Sequence, residues 1–161
     1  MLHRFLNSAL VGAAIVISAG AAPAATAWPA WLSIESPVNP FDPSTRGAVM
    51  LVHAATRDGV PSASDVTAAA EGIVSGARQT IPLRLDPTSH PGVFAVRRQW
   101  PTDGAWVVRI QLRQTTALVT FDGIGNVAGA RVPTAQQNGA QIPRAVAARE
   151  IDSALAVAAK R

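Results

Sequence analysis

The run Ala105-Trp106-Val107-Val108-Arg109-Ile110-Gln111-Leu112-Arg113 decides the fold. Trp106, Val108, Ile110 and Leu112 fall at one phase of a two-residue period, and Val107, Arg109, Gln111 and Arg113 at the other. Only an extended strand sends alternate side chains to opposite faces, so the run predicts a half-buried β-strand with its tryptophan inward. Pro101-Thr102-Asp103-Gly104 supplies the turn that leads into it.

Upstream of that turn, Val93 to Trp100 puts Phe94, Val96 and Trp100 on one face, with Arg98 awkwardly at the same phase. Asp86 to Gly92 reads as a loop, because it gathers Pro87, Pro91 and Gly92 among small polar residues. Thr80 to Leu85 is a strand with Ile81, Leu83 and Leu85 inward and Arg84 outward; Pro82 removes a ladder donor and makes it an edge. Val66 to Val74 is also read as a strand, being short and bounded by turn residues. Gly47 to Thr56 is apolar at both phases, with Val49, Leu51, His53 and Ala55 opposing Ala48, Met50, Val52 and Ala54. A strand apolar on both sides belongs in the middle of a sheet. Asp58-Gly59 turns the chain away from it. Before Gly47, Pro29, Pro37, Pro40 and Pro43 leave only Trp31 to Glu35 able to pair, as an edge strand.

Downstream of Arg113, Ala117, Val119 and Phe121 share one face of a further strand, Asp122-Gly123 and Gly125-Asn126 turn the chain, and Val127 to Val132 forms a weak last strand. Short strands at this spacing predict an all-β antiparallel β-sandwich of about seven strands, over residues 28–132. Residues 133–161 read as a loop rich in Gln and Asn and then one short C-terminal α-helix, from Arg144 or Ala148 to Ala159. Ala147, Ile151, Ala154, Leu155 and Ala158 give that helix an apolar stripe that packs on the sandwich.

Four turn-and-strand signatures recur in order: Asp58-Gly59-Val60-Pro61, Leu83-Arg84-Leu85, Pro91-Gly92-Val93-Phe94-Ala95-Val96, and Trp100-Pro101-Thr102-Asp103-Gly104-Ala105-Trp106-Val107-Val108. Over residues 46–113 this series resembles the YtkA-like and FixH-like exported bacterial domains. The resemblance implies an immunoglobulin-like sandwich and an accessory or binding module, often beside respiratory or copper-handling systems, rather than an enzyme. It departs from related copper carriers in lacking Met- and His-rich loops: beyond residue 27 only Met50, His53 and His90 are present.

The first residues predict export. Arg4 is the only formal charge before Glu35, an apolar stretch runs from Ala9 to Ala22, and Ala25-Thr26-Ala27 offers the small residues a signal peptidase accepts. Residues 1–27 therefore read as a signal peptide, and the rest as periplasmic or secreted. The alternative is an uncleaved membrane anchor, because the uncharged run continues through Trp28 and Trp31. The chain has no cysteine, which excludes a lipoprotein anchor and disulfides alike.

Arginine supplies nearly all of the 14 cationic side chains, against 10 acidic ones. They are scattered rather than gathered with aromatics, which excludes nucleic acid as the expected partner. Arg109 and Arg113 share an outward phase, and with Arg84 and Arg97 they are candidate binding residues for an anionic envelope component or an envelope protein. Trp28 and Trp31, set among prolines, either dock on the sandwich edge or stay exposed for a partner.

Chemistry-bearing patterns are few. His53 and His90 are the candidate metal ligands; Met50 cannot join His53, because residues three apart on a strand point to opposite faces. Two ligands without a third predict no resident cofactor. Gly72-Ile73-Val74-Ser75-Gly76 places its serine one position late for a nucleophile elbow, and Gly123-Ile124-Gly125 reads as a hairpin turn rather than a phosphate loop. The expectation is a non-enzymatic envelope accessory or binding module, with a metal carrier or oxidase-assembly factor and a surface-structural or adhesion module as alternatives.

Overall fold

A computed structural model describes residues 30–160, so the expected signal peptide and Trp28 lie outside the described residues. The elements in chain order are β1 (Trp31–Glu35), β2 (Ala48–Ala55), β3 (Val66–Val74), β4 (Ala77–Leu83), β5 (Asp86–Pro87) and β6 (Val93–Arg97). They continue with β7 (Ala105–Leu112), β8 (Thr115–Phe121), β9 (Val127–Arg131), β10 (Thr134–Gln137), β11 (Ala140–Pro143) and the helix α1 (Ala148–Ala158).

Two antiparallel sheets face each other, one of four strands in the order β1-β2-β6-β5 and one of five in the order β4-β3-β7-β8-β9. Lettering β1 to β8 as A, B, C, C′, D, E, F and G turns these orders into A-B-E-D and C′-C-F-G. That is the immunoglobulin-like arrangement, with β9 added beyond G. The core between the sheets holds the inward phase of each strand: Met50, Val52 and Ala54 of β2, Phe94 and Val96 of β6, and Trp106, Val108, Ile110 and Leu112 of β7.

Ser75 and Gly76 both have positive φ and join Val74 directly to its partner Ala77, so the serine of the Gly72–Gly76 run is half of a tight hairpin turn. As expected, β1 is an edge strand, β2 is central, and Pro82 sits on the edge strand β4.

Four boundaries differ from the reading of the sequence. β4 begins at Ala77 and ends at Leu83, because the turn at Ser75 starts the return strand early. β6 stops at Arg97, where the chain leaves the sheet before Trp100. Asp86–Pro87, read as loop, pairs with Ala95 and Phe94 as a two-residue strand. Residues 134–143, also read as loop, form a separate hairpin, because Asn138-Gly139 supplies the two positive-φ residues of a tight turn. That hairpin shows no apolar alternation, and β10 is exposed throughout.

The helix packs on the outer face of the five-stranded sheet, where Ile151, Ala154 and Leu155 meet Val107 and Leu118. Val107 thus occupies the outward phase of β7 yet is fully buried, under the helix. No helix among the described residues is long and apolar enough to cross a membrane.

Candidate functional site

The outer face of the four-stranded sheet carries the polar site. Antiparallel register sets Ser33 of β1 beside His53 of β2 and His53 beside Val93 of β6, while Glu35 neighbours Leu51 and Leu51 neighbours Ala95. His53 Nε2 lies 2.7 Å from Glu35 Oε2 across the two strands. The two side chains keep 32% and 46% of their surface exposed, so the pair stands at the rim rather than in the interior.

The proline-punctuated segment before β2 folds over this face. Asp42 caps a short 3-10 turn at Pro43–Thr45, accepting from both the backbone N–H and the hydroxyl of Ser44 at 2.8 Å. These two hydrogen bonds hold the Asp42 carboxyl below its ordinary range, and the nearby His90 adds to the shift. Arg97 ties the segment down, its guanidinium donating to Arg46 O at 3.2 Å and Ser44 O at 3.4 Å. Thr45, Leu51 and Ala95 are buried as a result, which explains why β2 is apolar on both faces.

Between the segment, the sheet and the β5–β6 loop lies a cleft of about 380 Å³. Leu51 and Val93 form its apolar part, and Glu35, Asp42, His53 and His90 bring titratable groups to it from four separate stretches of chain. The two histidines singled out in the sequence therefore meet at one cleft. Among the described residues, however, no group of three or more His, Cys, Asp or Glu side chains is placed to hold a metal ion. Met50 is fully buried in the core, on the other side of the sheet from His53.

The hydroxyls around the cleft are occupied. Thr45 Oγ1 donates to Asn39 O or Asp42 O, each at 3.2 Å, and Thr88 Oγ1 to Val93 O at 3.0 Å or His90 O at 3.3 Å. Ser89 Oγ is 3.2 Å from His90 Nδ1, but both residues are exposed and no carboxylate among the described residues hydrogen-bonds the ring.

The other sequence candidates are dispersed. β1 docks through Leu32, which is buried, and the chain just before it through Ala30, whose carbonyl accepts from Thr115 Oγ1 at 2.6 Å. Trp31 points outward from the docked strand and is 57% exposed, so docking and exposure coexist in adjacent residues. Arg84 and Arg97 share one carboxylate, Asp86, with Arg84 Nε at 2.8 Å from it. Arg109 lies on the far side of the sandwich, on the outward phase of β7, 3.2 Å from Glu71. Arg113 has left β7 in a positive-φ turn and pairs with Asp58 at 2.9 Å. Arg97 and Arg109 face opposite ways, and the four arginines do not form one surface.

Glu35, Asp42 and Glu71 were not singled out in the sequence. The signal for Glu35 was available, since it and His53 hold outward phases on two strands that pair; Asp42 reads from sequence only as a turn residue. Fold and site together define an antiparallel immunoglobulin-like sandwich with a polar cleft on its four-stranded face. No family model, curated protein or solved structure matches the chain.

Proposed function

We propose that this chain is an exported, non-enzymatic binding module of the cell envelope, and that its partner engages the cleft above the four-stranded sheet. The observation that carries the reading is the convergence of Glu35, Asp42, His53 and His90 on a cleft whose hydroxyls already donate to backbone carbonyls. A histidine acts as a catalytic base when it can reach a nucleophile and is itself oriented by a third group. Here His53 faces a carboxylate, and among the described residues no carboxylate hydrogen-bonds the His90 ring. Export rests on residues 1–27, and the likeness to YtkA-like and FixH-like domains supports the same reading.

A metal-carrier role draws on the same two imidazoles. It needs a third donor, and it would require stoichiometric copper uptake by the purified chain that the His53→Ala, His90→Ala double variant loses.

In-cell photo-crosslinking tests the main reading. A photoreactive residue replacing Ser33, beside His53, is expected to yield a discrete adduct in the envelope fraction. The same residue replacing Arg149, on the exposed side of the helix, is expected to yield none. Adducts from neither position, or substrate turnover by the purified chain, would overturn the proposal.

A further inference from the structure

Arg98 breaks the pattern of its neighbours. It follows β6 at the phase of Phe94, Val96 and Trp100, all three of which are buried in the core. A guanidinium at that phase enters the open end of the sandwich, where its Cζ lies 5.9 Å from the centre of the Trp100 ring. Trp100 in turn packs against Phe121 with ring centres 5.1 Å apart.

The charge is under-compensated. Arg98 Nη2 donates to Pro101 O at 3.2 Å, but Nε is buried with no acceptor. Arg78, Arg84, Arg97, Arg109, Arg113 and Arg144 each hold a carboxylate, whereas Arg98 forms no ion pair among the described residues. A buried Nε–H without an acceptor costs stability, and the cation itself borders a cleft with no carboxylate partner among the described residues.

The guanidinium is packed on one side and borders open space on another. The β8–β9 turn crosses the guanidinium at Gly125, where φ is +93° and a Cβ would stand 2.5 Å from Nη1. Beside it opens a cleft of about 360 Å³, lined by Ile73, Trp100, Trp106, Phe121 and the C-terminal end of α1. Asp122 also borders it, but its carboxylate is taken by the N–H groups of Ile124 at 3.1 Å and Asn126 at 2.8 Å. That fixed negative charge disfavours a dianion, and the single guanidinium matches one planar carboxylate.

We infer that this cleft, separate from the histidine cleft, binds a monocarboxylate with an apolar body: Arg98 receives the carboxylate and the aromatic end of the core receives the body. Benzoate is the probe, titrated into the full chain while the arginine Nε–H and tryptophan indole N–H resonances are followed. The expected result is a saturable shift at Arg98 and Trp106, with benzamide, which lacks the charge, bound about tenfold more weakly. Arg98→Met is expected to abolish the benzoate response while leaving Tm unchanged or raised, as removal of an uncompensated cation should. Arg98→Lys, which keeps the charge and loses the fork, is expected to fold and to bind several-fold more weakly. No saturable shift, equal binding of benzamide, or undiminished binding by either variant would overturn the inference.

Discussion

The two outer faces of this sandwich are built from equally regular strands and are closed in opposite ways. Over the five-stranded sheet, Ile151, Ala154 and Leu155 of the helix cover Val107 and Leu118, and Glu71, Arg78, Arg109 and Asp152 beside the seam are ion-paired. Glu71, only 6% exposed, accepts from Arg109 Nε at 3.2 Å, from Arg78 Nη2 at 3.3 Å and from Thr80 Oγ1 at 3.2 Å. Arg78 also reaches Asp152 on the helix; that hydrogen bond first, and the one to Glu71 second, raise the Arg78 pKa and tie the ion-pair cluster to the covering element. Over the four-stranded sheet no α-helix sits among the described residues, and a capped loop leaves His53, Glu35 and Trp31 partly open. The same alternation of side chains thus gives one face whose charges tie the covering helix to the sheet and one whose charges stay partly exposed.

The largest expected effect breaks this comparison if it fails. Leu155 is 1% exposed and sits at the centre of the helix seam. Leu155→Ala is expected to cost about 3 kcal/mol in urea unfolding, the usual range for a buried leucine truncated to alanine. An effect near zero, with loss of helical signal alone, would mean that the helix is an appendage and that the sandwich is stable with that face open.

Glu71 comes next. Glu71→Ala leaves Arg109 and Arg78 facing a buried edge without their carboxylate, and is expected to cost about 2 kcal/mol, below the full figure for a buried pair because both arginines are partly exposed. The double variant Glu71→Met, Arg109→Met is expected to recover more than half of that loss, since apolar groups of similar size replace buried pairs well. Failure to recover would show that Glu71 acts through Arg78 and the helix rather than through Arg109.

How much of this was legible in the sequence follows from the same contrast. The period of two in residues 105–113 and the turn residues between strands made the sandwich legible, the prolines around β1 and in β4 their edge positions, and apolar residues at both phases the central position of β2. The stripe on the helix could be read too, but not its seat, because Val107 looks like any outward residue until Leu118 is known to lie nearby. The hairpin at residues 134–143 has no apolar face to betray it, and only Asn138-Gly139 marks its turn. The cleft was half legible. His53 and His90 stand out by type, whereas Glu35 and Asp42 join them only through strand register and loop closure.

A smaller effect is a pH dependence at the start of the helix on the closed face. Arg144 donates to both carboxylate oxygens of Glu150 at 2.7 and 3.1 Å, and the Ala147 N–H donates at 3.0 Å at the start of the helix. Together they hold the Glu150 pKa down to about 2 from an ordinary 4.5. A carboxylate depressed in the folded state contributes stability that is complete above its unfolded value and lost as pH falls through its folded one. The helical circular-dichroism signal is therefore expected to weaken on acidification from about pH 4.5 towards 2, and Glu150→Gln to show that part of the weakening already at neutral pH. A Gln variant with the same acid profile as the parent would assign the transition to another group.

The smallest expected effect is on the open face, and it sharpens the comparison most. Glu35→Gln removes the charge opposite His53 while keeping the shape and one hydrogen-bonding oxygen. Because both side chains are substantially exposed, solvent already screens the pair, and the change is expected to cost less than about 0.5 kcal/mol by urea unfolding. Partner crosslinking from position 33 should nevertheless fall, since Glu35 borders the cleft. A loss of stability comparable to that of Glu71→Ala would place Glu35 among the residues that hold the fold. A stable variant with impaired crosslinking would set it among those that serve the partner, and would make the difference between the faces one of function as well as of covering.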